Sequence, residues 1–80
     1  MEKTVMVYMM DYFKFEYKDA ERIITQKVSL AKPQEVVRNC LQRMLGVAMY
    51  IQRLDYTISY DEVEQIYNFY KEQLEKLLTD

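Results

Sequence analysis

An α+β domain is predicted for this 80-residue chain: an N-terminal antiparallel β-hairpin or small sheet followed by two antiparallel helices, in the order ββαα. Three observations carry the prediction. Residues 4–17 form a run of Val, Met, Tyr and Phe whose second half, Tyr12 to Tyr17, alternates aromatic and charged side chains with period two. Pro33 opens a long segment of helical periodicity, where its missing N–H costs nothing. Ser59-Tyr60-Asp61-Glu62 has the spacing of a capping box ahead of a second helical segment.

The first strand reads Val5, Val7, Met9, Asp11, Phe13, Phe15 and Tyr17 on one side, and Thr4, Met6, Tyr8, Met10, Tyr12, Lys14 and Glu16 on the other. Lys18 to Glu21 is a polar break, and Arg22 to Leu30, rich in β-branched residues, reads as the returning strand. The break lacks the Asn-Gly or Asp-Gly signature of a tight hairpin turn. Pairing Tyr17 with Arg22 places Phe13, Phe15, Ile24, Val28 and Leu30 on one face. Splitting the first strand near Met9–Asp11 gives the alternative order βββαα.

The segment from Pro33 to Leu54 carries Val36, Val37, Cys40, Leu41, Met44, Leu45, Val47, Ala48, Ile51 and Leu54 over more than half of a helix circumference. A stripe that wide predicts a helix packed between neighbours rather than laid on a surface. Gly46 interrupts it, at a cost of roughly 1 kcal/mol relative to Ala. From Ser59 to about Leu78 a second helix places Val63, Ile66, Tyr67, Tyr70, Leu74, Leu77 and Leu78 on one face, with Phe69 off its centre. Charge divides between the two helices: residues 32–53 hold four basic and one acidic side chain, residues 60–80 two basic and six acidic. Antiparallel pairing sets these opposite charges side by side.

Composition narrows the function classes. A chain this short makes one domain with a marginal core, which favours self-association. It contains no His, so the usual near-neutral proton shuttle is missing, and with one Cys no zinc ligand set can be assembled. A single Gly leaves no phosphate-cradling loop. Cys40, flanked by apolar residues, reads as a buried structural thiol. The expectation is therefore no enzyme, no metal and no cofactor. A net charge of −2 offers no general attraction to nucleic acid or anionic membranes. The lone Cys, the lack of a basic-then-apolar leader and the lack of a spanning apolar run predict a cytoplasmic protein. Abundant Phe, Tyr, Met, Ile and Lys with little Gly, Ala, Arg or Pro suggest an AT-rich coding sequence, from a low-GC bacterium or its phages or mobile elements.

The surplus of apolar side chains on the N-terminal strand predicts a docking surface. Met6, Tyr8, Met10 and Tyr12 form its expected strip, combining adaptable Met with rigid amphipathic Tyr. The expected function is a non-enzymatic protein-interaction module, a small regulator or inhibitor of a partner protein and itself a homodimer. The alternative is a single-stranded nucleic-acid binder that stacks bases on strand aromatics such as Tyr12 and contacts phosphates through Arg38, Arg43 and Arg53. Its charge-balanced aromatic segment argues against it.

Overall fold

The computed structural model describes residues 4–28, 30–55 and 57–79. The described residues form three helices: α1 (Val5–Gln26), α2 (Pro33–Leu54) and α3 (Tyr60–Lys76). No strand occurs among them. The α+β prediction, in both its ββαα and its βββαα form, is overturned: the segment expected to be a hairpin is one continuous helix. Ser29 and Tyr56, part of the expected second strand and of the expected connection between the helices, lie outside the described residues.

Packing explains why α1 is a helix. Its buried residues, Met9, Phe13, Glu16 and Ala20, recur at spacings of four, three and four, which lines one helical face. A strand would divide them between opposite faces. Thr4 caps the N-terminus, its Oγ1 accepting from the Val7 amide at 3.2 Å. Lys18 to Glu21 contains no Gly, Pro or Asn, so the helix runs straight through the expected turn. Side-chain bonds one turn apart brace it: Tyr12 to Glu16, Tyr17 to Glu21 and Arg22 to Asp19. The helix stops at Lys27, which turns left-handed at φ 52°. The face assembled by the predicted strand pairing is dispersed as a result. Phe13 is fully buried, whereas Phe15, Val28 and Leu30 are exposed.

The predicted limits of α2 coincide with the observed ones, and Ser59 is the N-cap residue of α3 as expected. The capping box is not closed, since the Ser59 side chain makes no capping bond; Asp61 and Glu62 still place negative charge in the first turn. Between the two helices the Asp55 carboxylate accepts from the Thr57 amide at 3.0 Å and from its hydroxyl, forming a local turn.

Helix α1 packs most extensively against α2, and α3 packs to a similar extent against each of the other two. The common core is Met9, Phe13 and Ala20 from α1, Val37, Cys40, Met44, Ala48 and Ile51 from α2, and Val63 and Leu74 from α3. Phe13 is its centre, meeting Tyr67 and Tyr70 edge-on at ring separations of 6.5 and 5.9 Å. With only two buried side chains, Val63 and Leu74, α3 is the least embedded helix. No described helix is long and apolar enough to cross a membrane.

Candidate functional site, a groove between α2 and α3

The apolar stripe of α2 is wider than its contacts with α1 and the core require. Part of its surplus, at Leu45, lies along the seam with α3, while Leu54 is exposed outside it. Two adjoining cavities, about 200 and about 260 Å³, run along this seam and share Leu45 and Tyr67 as common wall. The first lies beside Ala48, Met49, Tyr60 and Val63. The second continues past Leu41 to Leu78, rimmed by Arg38 and Glu75. The pairing of residues shows that α2 and α3 run antiparallel, with the start of α2 beside the end of α3.

Large apolar side chains stand open to solvent along the groove: Leu45 is 46%, Met49 51% and Tyr60 69% exposed. Apolar exposure this continuous, bordered by polar side chains, is the form of a helix-receiving groove. Sequence reasoning assigned Leu45 to the core and left Met49 and Tyr60 off both apolar stripes. In the sequence the width of the α2 stripe reads as burial between neighbours, and the docking surface is expected on the N-terminal segment instead.

The residues expected to form a docking strip are placed by α1 rather than by a strand. Along a helix, alternate residues rotate by about 200°, so the four no longer line one face. Met6 and Met10 are one turn apart on one flank, and Tyr8 and Tyr12 one turn apart on the other. Tyr8 is 59% and Met10 44% exposed, while Met6 and Tyr12 pack partly against the core. The three arginines of the nucleic-acid alternative are also separated. At about 100° per residue they span roughly 140° of α2, with Arg38 beside α3 and Arg43 beside α1. Arg53 is exposed between these two directions.

Arg43 and Tyr12 instead meet at Glu16, a residue the sequence reading did not single out. Glu16 is almost completely buried, yet every bond its carboxylate needs is present. Oε2 accepts from Arg43 Nε at 2.7 Å and from the Tyr12 hydroxyl at 2.6 Å, and Oε1 accepts from Arg43 Nη2 at 3.0 Å. The two-pronged guanidinium fork ties α1 to α2 with directional bonds. Burial pushes the Glu16 carboxyl up, but the bonds from Arg43 and Tyr12 outweigh it and hold the group below the ordinary carboxylate range. Burial, with the bond to Glu16 and its charge, raises the Tyr12 phenol to about 12.

Cys40 is fully buried beside this cluster, its thiol directed at the Glu16 carbonyl and the Met44 sulfur. Burial and the Glu16 charge push it up to about 11. At neutral pH it is a protonated core residue, as expected from its apolar neighbours. Among the described residues no group of three or more His, Cys, Asp or Glu is arranged to hold a metal ion.

Comparison with known proteins returns no match: no family model, no curated protein and no solved structure is significantly similar to this chain. Function must be argued from the molecule itself.

Proposed function

We propose that this chain is a non-enzymatic protein-interaction module that regulates or inhibits a protein partner by occupying its surface. The docking face is the α2–α3 groove, and an amphipathic helix is the structure that fits it. One observation carries the reading. The two joined cavities are walled by Leu45, Met49, Tyr60, Tyr67 and Leu78, side chains that a monomer leaves partly or largely in water. Burying them against a partner returns hydrophobic free energy that folding alone leaves unused. The polar groups of the Glu16 cluster are satisfied within the fold, so that cluster supports the scaffold and is not needed for recognition. A single buried thiol suits a reducing cytoplasm, and a phage or mobile-element origin suits a small blocking protein.

The test compares affinity capture from the native host by the wild-type chain and by Met49→Glu. Because Met49 is half exposed, the variant should keep its helical circular dichroism while losing the captured protein. Capture of the same protein by both chains would place recognition elsewhere and overturn the groove assignment.

A further inference from the structure

We infer that the α2–α3 groove is filled by a second copy of this chain, in a symmetric dimer whose two-fold axis runs parallel to the helices. The inference rests on the groove being a docking face: a second copy fills it in the isolated protein, and the partner protein competes with that copy for the same face.

Charge selects both the partner and the symmetry. Two copies can be laid groove to groove around a two-fold axis either across the helices or along them. An axis across the helices sets α2 against α2 and α3 against α3, which brings the acidic Glu64 and Glu75 of the two α3 helices together and leaves Arg38 without an acidic neighbour on the other copy. An axis along the helices sets α2, which lines the groove with Arg38, against α3, which lines it with Glu64 and Glu75. Only this second arrangement matches opposite charges at both seams.

Rotation about such an axis leaves the height of every residue along the helices unchanged. Arg38 and Glu75 rim the same cavity and so lie at one height. Both are exposed, and neither closes an ion pair among the described residues. The dimer brings Arg38 of each copy to Glu75 of the other, twice. Beyond these pairs along the helices, Leu45, Met49, Tyr60 and Tyr67 of the two copies form a shared apolar layer, as in a four-helix bundle.

The area suffices. The 17 residues of α3 extend about 25 Å, and two packed helices are about 20 Å wide. Groove-to-groove packing therefore hides about 500 Å² per copy, or about 1,000 Å² together, the lower limit for a specific interface.

Sedimentation equilibrium on the full chain, from about 1 to about 200 μM, tests this with three variants. The wild type should dimerise, and Met49→Glu should be monomeric with unchanged helicity. Arg38→Glu and Glu75→Arg, each alone, should weaken self-association roughly tenfold, because each creates two like-charge contacts. Mixed in equal amounts, these two chains should pair with each other at close to wild-type strength, since both contacts are then restored. Pairing within one chain cannot produce that rescue. A wild type that stays monomeric at the highest concentration, a dimer that survives Met49→Glu, or a mixture that associates no better than its components would each overturn the inference. A monomeric wild type that still captures a host protein, with the capture lost in Met49→Glu, would sink the dimer but leave the interaction-module reading standing. Absence of both would sink both.

Discussion

Replacing Arg43 with Met is the sharpest test of how α1 and α2 are held together. The substitution keeps much of the aliphatic stem while removing the bonds at 2.7 and 3.0 Å to Glu16. It leaves a carboxylate whose side chain is only 5% exposed, with the Tyr12 hydroxyl as its remaining side-chain donor. Removing one member of a fully buried pair costs about 3–5 kcal/mol. Here the guanidinium side chain is 51% exposed, so water already screens it, and a loss of about 2 kcal/mol is expected. In a domain of this size that lowers Tm by roughly 8–16 °C.

The pH dependence separates this mechanism from a simple loss of packing. In the wild type the Glu16 carboxyl is held below its ordinary 4.5. Its stabilisation is therefore complete above that value and is lost as pH falls through the lowered one. In Arg43→Met, burial acts without the guanidinium, so the carboxyl rises and its penalty fades as acid protonates it. Urea unfolding followed by circular dichroism at about pH 7 and about pH 3 should show the two chains converging in acid. Adding Glu16→Leu to Arg43→Met should restore at least half of the loss, because no buried charge is then left unpaired. A neutral-pH loss below roughly 0.5 kcal/mol, or a loss of equal size at both pH values, would refute the reasoning.

Four further outcomes follow from the same structure. Gly46→Ala should stabilise the chain by about 1 kcal/mol in thermal unfolding, since an added Cβ meets nothing within 4 Å and the helix gains propensity. Stability should fall in alkali between pH 9.0 and about 12. Cys40 is raised from 9.0 to about 11 and Tyr12 from 10.0 to about 12, so each favours the fold while protonated and withdraws that support as pH climbs through its raised value. Native Cys40 should correspondingly resist thiol reagents until the chain unfolds. Phe13→Ala should cost about 3–5 kcal/mol by emptying the centre of the core. That loss is a large share of the about 4–12 kcal/mol available to a domain of this length, and urea denaturation would measure it.

The two C-terminal helices were readable because their limits are set by local chemistry. Pro33 fixes where α2 begins, and Ser59 followed by Asp61 and Glu62 marks the start of α3; neither needs a distant contact. Cys40 was likewise readable as a core thiol, from the apolar residues one turn away on either side. The first helix was misread because its composition points one way and its packing another. Val, Tyr, Phe and Ile favour strands locally, but Met9, Phe13, Glu16 and Ala20 reach the core only in a helix, and core burial outweighs local preference. The missing turn signature at Lys18 to Glu21 was the sign that no hairpin formed there.

The groove and the Glu16 cluster belong to the tertiary structure alone. Glu16 and Arg43 are 27 residues apart, and nothing in their separate neighbourhoods specifies that they meet. Leu45, Met49 and Tyr60 have the same composition whether they line a core or an open seam. Which of these they do depends on where α1 settles, and it covers only one side of the α2–α3 pair. Sequence determined by itself where two helices begin, how their charges divide, and that the chain carries more apolar surface than it needs. Tertiary packing decided that the first segment is helical and where the surplus is displayed, because burial is shared among all three helices and cannot be assigned to any one of them in isolation.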